Sequence, residues 1–366
     1  MKILIINENH HSCIGGIEIY SKKLFDLFLS LGHNVFEYSF NINPEKIGES
    51  ENNKNIVNLN DKGKKSNRKL TIKEKRVTIK KAVLEIAKIQ DEYDLIINQT
   101  ANVKWPKEIY KNSKWLYVQH FNPSFYKQKF ILGRFLAPVI YWGMHIFGIK
   151  NPFNYFQNFI FFSKQDAVIL NKKKKNHWII SLAATTNEKI IEIKKRKKNS
   201  FNKKLIYFGR IDTKQKQIKK MIKFSEQLNL SIDFYGSGNT KVFKNNESLY
   251  KGMLKNDDIL DELQNYHFFI LLSNYEGFPL SVVESLSAGV PIIINNFCPS
   301  SKFLVNGNGF LLKNKKDIKK LKNLLDDDEL YSKIQNNCFQ FALEHLTIEK
   351  WQEKWKVVLN YFEEKK

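Results

Sequence analysis

The sequence is poor in cysteine, in long apolar runs and in acid. Its three cysteines, Cys13, Cys298 and Cys338, are far apart, odd in number and without metal-site spacing. That excludes a disulfide framework and a thiolate zinc site, and fits free thiols in a reducing cytoplasm. No run of about 18 uncharged apolar residues occurs, so no membrane-crossing helix is expected. The nearest approach, 135–149, carries Pro138 and His145 and is too short. Ile3 to Ile6 is too short for a secretory signal core and runs into polar residues 7–11. Acids number 37 against 60 Lys and Arg, a net charge of +23. Such an excess implies an anionic partner, a negative membrane surface or a Lys-rich proteome, and Lys and Asn are frequent throughout. The glycines at 15 and 16 do not form G-x-G-x-x-G, which disfavours an NAD site, and the serine elbow G-x-S-x-G is absent.

What is present is a twofold α/β pattern. The 366 residues are 42% hydrophobic, enough for two globular domains at about 100–200 residues each. Lys2 to Ile6 reads as a buried strand, and Gly15-Gly16 opens a helix with Ile17, Tyr20, Leu24, Leu27, Phe28 and Leu31 at helical spacing. Gly32 ends that helix and 34–39 is the next strand. Residues 43–70 read as a polar mobile loop and 71–90 as a helix. Further strands are expected at 94–98, 114–118, 159–162 and 177–180. The charged run 192–204 reads as the connection between domains. The pattern then restarts: strand 205–208, turn Gly209-Arg210, helix 218–228, strand 230–235, Gly236-Ser-Gly238, helix 259–266 and strand 267–272. Residues 348–362 carry Trp351, Trp355 and Tyr361 on a helical pattern that packs back across a domain. Two doubly wound sheets facing a cleft result, with ligands at the carboxyl ends of the strands.

The densest chemistry lies at Glu276-Gly-Phe-Pro-Leu-Ser-Val-Val-Glu284. Pro279 suits the first position of a helix and Gly289 its stop, so the loop aims free helix N–H groups at the sheet end, where an anion is favoured. Glu276 lies outside this helix and Glu284 about a turn inside; capping and surface charge is the bland reading of both. Arg210 ends a strand, with Lys216, or alternatively Lys214, six or four residues on; a fork and a point charge suit a diphosphate, and solvated surface charge is the other reading. Gly15-Gly16 is either a tight turn or a close backbone approach to phosphate. His120 ends a strand at the cleft and is either structural or a contact to a sugar hydroxyl. Residues 121–158, rich in aromatics with Lys127, Lys129 and Arg134, are either a membrane-interface surface or a core helix. The basic runs 172–175 and 194–198 add positive field. Asp326-Asp327-Asp328 reads as exposed charge, not a metal site.

Together these residues resemble the GT4 family of retaining glycosyltransferases, whose GT-B fold has two Rossmann-like domains. The resemblance rests on Gly15-Gly16, Phe208-Gly-Arg210 with Lys216, Gly236-Ser-Gly238, the E-x7-E signature Glu276 to Glu284, and Asn308-Gly309-Phe-Leu-Leu312. It implies an acceptor-binding domain over 1–195 with the C-terminal helix 348–366 packed on it, and a nucleotide-sugar-binding domain over 200–345. It implies catalytic roles for Arg210, Lys216, Glu276 and His120. Arg210 and Lys216 would hold the diphosphate, Glu276 the donor-sugar hydroxyls, and His120 would stand near that sugar. It implies donor contacts from Gly15, Gly16, Gly277, Phe278 and Leu280, a base site at Gly252, Met253 and Leu254, and ribose binding by Glu284. No metal and no cofactor are expected. Three departures stand out: Leu182-Ala-Ala-Thr-Thr-Asn187 replaces a common Asn-Gly, Phe121 follows the strand-end His, and the Arg-to-Lys gap is one residue longer.

The resulting expectation is a retaining, metal-independent transferase. It moves a hexose or N-acetylhexosamine from a nucleotide sugar, UDP-linked, to a cell-surface glycan, lipid-linked oligosaccharide or teichoic-acid-type acceptor. It works in the cytoplasm, peripherally at an anionic inner membrane face. The alternative driven by charge is a nucleic-acid-binding or nucleic-acid-glucosylating GT-B protein, which requires a steep salt dependence. Its charge is spread along the chain rather than in a basic stripe with interleaved aromatics, so no specific nucleic-acid partner is expected.

Overall fold

A computed structural model describes residues 1–9, 15–41, 56–57, 72–100, 103, 105–120, 156–171, 174–196, 203–212, 214–244, 246–313, 315–325 and 327–365. Two sheets of parallel strands organise it. The first has the order β3-β2-β1-β4-β5-β6-β7: β1 Lys2–Asn9, β2 Asn34–Asn41, β3 Ile56–Val57, β4 Leu95–Asn98, β5 Trp115–Val118, β6 Asn158–Phe161 and β7 Asn176–Ile179. The second has the order β12-β11-β10-β8-β9: β8 Lys204–Phe208, β9 Ser231–Tyr235, β10 Phe268–Leu271, β11 Ile292–Asn295 and β12 Gly309–Leu312. Central strands covered on both faces must be apolar along their whole length. Ile3 to Ile6, Phe268 to Leu271 and Ile292 to Ile294 accordingly have no exposed surface.

Strand order reverses twice, between β1 and β4 and between β8 and β10. At such a switch point the loops leave in opposite directions and open a crevice at the carboxyl ends. Gly15 follows β1 and Gln99 follows β4; Arg210 follows β8 and Glu276 follows β10. Gly15, Arg210 and Glu276 are singled out by the sequence; Gln99 is not.

The helix Gly16–Ser30 lies against the first sheet, and the C-terminal helix Ile348–Glu363 lies on that helix. The Trp355 ring meets Phe28 edge-on at 5.5 Å, and Trp351 meets Tyr20 at 5.9 Å. Farther along, Tyr361 packs on Trp178 at 4.9 Å and accepts a hydrogen bond from Asn176. The chain thus leaves the second sheet and finishes on the first. One apolar cluster runs from Ile3 and Phe28 through Phe278 and Val283 to Trp355, joining the two sheets.

Three boundaries differ from the sequence reading. The connecting run 192–204 is partly helical, because Asn187–Arg196 buries Ile190 and Ile193, and Lys204 already belongs to β8. The helix expected at 259–266 is α only over Ile259–Glu262 and tightens to 3₁₀ over Leu263–Asn265. Pro279 caps the helix Leu280–Ser287 instead of opening it: its ψ of 120° is extended, although its carbonyl accepts from Val282 N–H at 3.1 Å. Asp327 is exposed, as expected, and in addition caps the helix Asp328–His345 by accepting from Leu330 N–H at 2.8 Å.

Two readings fall mostly outside the described residues. Of 43–70 only Ile56–Val57 is described, as a strand beside β2. Of 121–158 only Phe156 onward is described; Phe156 is core, stacked on Tyr117 at 5.3 Å, and Lys127, Lys129 and Arg134 lie outside. Cys13, Asp326, Lys172 and Lys173 also lie outside. Cys298 and Cys338 are buried free thiols. Among the described residues no helix is long and apolar enough to cross a membrane, and no group of His, Cys, Asp and Glu is arranged to hold a metal ion.

Candidate active site

The second crevice is built by backbone first. Gly209 N–H donates to Tyr235 carbonyl at 3.0 Å and Ile211 N–H to Ser237 carbonyl at 2.7 Å, which zips the loops after β8 and β9 together. A Cβ on Gly236 would stand 1.9 Å from the Gly209 carbonyl oxygen, so no other residue allows this approach. Gly236 N–H donates in turn to Gly252 carbonyl at 2.8 Å, which ties the 252–254 segment to the same loops. Gly252 has φ of +91° and open space where a Cβ would be; Met253 is exposed and Leu254 half-buried. A flat, apolar, accessible shelf beside a glycine suits a planar base.

Arg210 leaves this frame pointing outward, with its side chain 61% exposed. Its guanidinium donates to Gln215 Oε1, and Gln215 Nε2 donates to Tyr275 carbonyl at 3.2 Å. The Asp212 carboxylate accepts from the N–H groups of Gln215 and Lys214 and shapes the turn; those two bonds, Gln215 first, hold its pKa below the usual value. The turn brings Lys216 inward, where its Nζ donates to Glu276 Oε1 at 2.7 Å with both side chains nearly buried. Lys214 is exposed, and its carbonyl accepts from Asn274 Nδ2 at 2.7 Å. Of the two lysines read from sequence, Lys216 is therefore the one beside Glu276. Gln215 went unnoticed because only its fold position, between Arg210 and Tyr275, reveals it.

Glu276 sits on the loop before the helix Leu280–Ser287, its N–H bonded to Phe297 carbonyl at 3.2 Å. Gly277 is half-buried and Leu280 half-buried, while Phe278 is buried. The Phe278 ring reaches Phe162 of the first sheet at 6.0 Å, and Phe162 meets the His120 ring at 5.2 Å. This aromatic chain links the E-x7-E loop to His120 across the two sheets.

His120 is held between Tyr20, at 5.1 Å, and Phe162, with Nε2 2.6 Å from Gln99 Oε1. Burial pushes its pKa down to about 3, so the ring is neutral throughout the ordinary range. Glu284 lies at the junction with the first sheet. Burial raises its pKa to about 7, and the Lys23 ammonium offsets part of that rise. Lys23 belongs to the helix Gly16–Ser30 and donates to the carbonyls of Ala183, at 2.9 Å, and Ala184, at 3.2 Å. Burial lowers its own pKa. A sequence signal for Lys23 existed: it stands three residues after Tyr20 and four before Leu27, on the apolar stripe of its helix.

The Gly15-Gly16 loop differs from the simple anion-site reading. The room a Gly15 Cβ would take is filled by the Glu18 carboxylate, 2.1 Å away, which also accepts from Asn9 Nδ2 at 2.8 Å. Glu18 is buried and supplies the negative charge that a helix N-terminus favours. Gly16 is exposed and has open space where a Cβ would point, so the loop's free approach lies at Gly16 alone.

The family "Glycosyl transferases group 1" matches residues 188–341, which include Arg210, Lys216, Gly252 to Leu254, Glu276 and Glu284 but not Gly15, Gly16 or His120. The chain is 35% identical over 92 residues to the N,N'-diacetylbacillosaminyl-diphospho-undecaprenol alpha-1,3-N-acetylgalactosaminyltransferase of Campylobacter jejuni, covering 24% of each. It is 29% identical over 144 residues to the poly(glycerol-phosphate) alpha-glucosyltransferase of Bacillus subtilis, 35% of this chain and 21% of that protein. The matched stretch thus spans about a quarter or less of these curated relatives. Sucrose-phosphate synthase from Thermosynechococcus elongatus superposes over 100% of both chains with a TM-score of 0.73 at 13% identity, which is a likeness of fold. Residues 188–341 therefore match the Glycosyl transferases group 1 family, within a two-sheet fold of the GT-B kind.

Proposed function

We propose that the chain is a retaining, metal-independent glycosyltransferase of the GT4 type, using a UDP-linked hexose or N-acetylhexosamine. The observation that carries this reading is the Lys216–Glu276 pair at the switch point of the second sheet, with Arg210 tied to the same loops through Gln215. One anchored cation and one accessible cation flank a carboxylate suited to sugar hydroxyls. The diphosphate lies between Arg210 and Lys216, the base on the 252–254 shelf, and the ribose near Glu284. As the sugar C1–O bond breaks, its electron pair passes to the departing diphosphate, whose growing charge the two cations stabilise. The acceptor oxygen bonds to C1 on the same face, and its proton goes to a leaving-phosphate oxygen. These cations supply the charge compensation that a divalent ion gives other transferases.

The acceptor in this reading is a lipid-linked oligosaccharide, surface glycan or teichoic-acid-type polymer at the cytoplasmic face of an anionic membrane. The names of the Campylobacter and Bacillus relatives, an undecaprenol-linked and a poly(glycerol-phosphate) glycosyltransferase, support that class. The net charge of +23 supports attraction to acidic lipid or polymer. Part of that field is neutralised: Arg196 pairs with Asp261 at 3.0 Å and with Glu192 at 3.1 Å.

The test is a donor-hydrolysis screen of purified protein across nucleotide sugars with and without a chelator, followed by NMR of the product anomer. Turnover of a UDP-sugar with retention, unchanged by chelation, is expected. An inverted product, or full activity in Glu276→Ala, overturns the reading. Co-sedimentation with anionic vesicles should exceed that with neutral ones and weaken with salt; equal binding to both removes the membrane part.

A further inference from the structure

The buried polar side chains beneath His120 form one directed relay. Glu37 Oε1 accepts from Asn7 Nδ2 at 2.7 Å and from Ser39 Oγ at 2.8 Å. With its amide nitrogen spent on Glu37, Asn7 presents Oδ1 on its other side. That oxygen accepts from Ser21 Oγ at 3.0 Å and from Gln99 Nε2 at 2.9 Å. Gln99 Nε2 spends its second hydrogen on Ser21 Oγ at 2.7 Å. The amide oxygen of Gln99 is what remains, and it faces His120 Nε2 at 2.6 Å. Asn7, Ser21, Glu37, Ser39 and Gln99 are all nearly inaccessible to solvent. They come from β1, the helix Gly16–Ser30, β2 and the end of β4, so four elements fix one orientation.

An amide oxygen only accepts, so the nitrogen opposite it must carry hydrogen. We infer that Gln99 is a positioning residue that locks His120 in its neutral Nε2–H form, leaving Nδ1 as a hydrogen-bond acceptor for a substrate hydroxyl. Nδ1 has no hydrogen-bond partner among the described residues, and His120 keeps some solvent access. Among the described residues, the aromatic rings against His120 are Tyr20 and Phe162, which set the ring plane by edge contacts. The only charged group in the relay is Glu37, two side chains away behind Asn7 and Gln99. A neutral acceptor at the reaction centre can accept a hydrogen bond from a hydroxyl without adding a positive charge, while the proton itself goes to the leaving phosphate. The use of Nδ1 by substrate rests on the glycosyltransferase reading; the tautomer does not.

Two measurements separate these parts. In 15N-histidine-labelled protein, with His120 assigned by its loss in His120→Asn, the ring should show protonated Nε2 and bare Nδ1 across neutral pH. Gln99→Glu keeps an acceptor and adds charge, so it should bring a His120 titration into the accessible range. Gln99→Leu should leave mixed tautomers. In turnover, Gln99→Leu should lower kcat roughly ten- to a hundredfold while donor KM changes little, since misorientation costs rate more than binding. Gln99→Glu should recover part of the loss only above its new titration. Bare Nε2 with protonated Nδ1 in the wild type, or an ordinary His120 titration, overturns the inference. A correct tautomer with no kcat change in Gln99→Leu overturns the substrate role of Nδ1 and leaves the rest of the transferase reading standing.

Discussion

Arg210 and Lys216 divide one task by their burial. Arg210 is the accessible charge, held by Gln215, while Lys216 is nearly enclosed against Glu276. Arg210→Ala should cost about 2–4 kcal/mol of transition-state stabilisation, the range for losing a preorganised electrostatic contact. Steady-state kinetics within threefold of wild type would refute that role. Glu284 makes a pH prediction. Its ordinary value of 4.5 rises to about 7 in the folded chain, chiefly through burial. Between those values the folded state holds a proton that the unfolded state has released, so stability falls as pH climbs through this window. Glu284→Gln lacks that loss. Its thermal midpoint should meet the wild type's near pH 4.5 and exceed it increasingly toward pH 7 and above. Parallel curves would mean that Glu284 ionises as an ordinary carboxylate.

At the scale of elements, Gly236 and Gly289 admit close approaches that no side chain would allow. Gly289 stops the motif helix with φ of +65°, and a Cβ there would stand 2.1 Å from the Phe339 ring. Gly289→Ala adds backbone strain to a clash with a buried ring, so a loss of roughly 2–4 kcal/mol is expected from chemical denaturation. A change within about 0.5 kcal/mol, the range of ordinary surface substitutions, would show that the ring moves aside freely. Element type was readable in advance because apolar runs and helical periodicity reflect burial directly: β1, β8, β10 and the C-terminal helix lie within a few residues of expectation. Element ends were less readable. Pro279 fits the first helical position and the cap equally well by its φ, and only the extended ψ separates them. The Asn187–Arg196 helix hid in a charged run because just two of its residues, Ile190 and Ile193, are buried.

At the scale of the whole molecule, the C-terminal helix locks the chain's end to its beginning. Trp355 has no exposed surface and packs on Phe28, whereas Val357 on the same helix is 59% exposed. Trp355→Ala should therefore lower stability by about 3–5 kcal/mol, and Val357→Ala should change it little. Urea midpoints measure both; equal effects would show that the helix is only loosely docked. The same architecture sets the chemistry. Phe278 touches Phe162, Phe162 touches His120, and Lys23 acts on Glu284, so the E-x7-E helix is tuned from the other sheet.

The sequence by itself determined the two doubly wound halves, the strand-end positions of Arg210 and His120, and the helix-start position of Glu276. Apolar periodicity and glycine punctuation are local, and a local pattern is enough to place a residue at the end of a strand. Tertiary structure alone decided the partnerships. Lys216 rather than Lys214 meets Glu276, Glu18 fills the space at Gly15, Lys23 faces Glu284, and Gln99 presents an oxygen to His120. Each of these joins residues on different elements. Which donor meets which acceptor depends on the register in which strands and helices pack, and that register is a property of the folded whole.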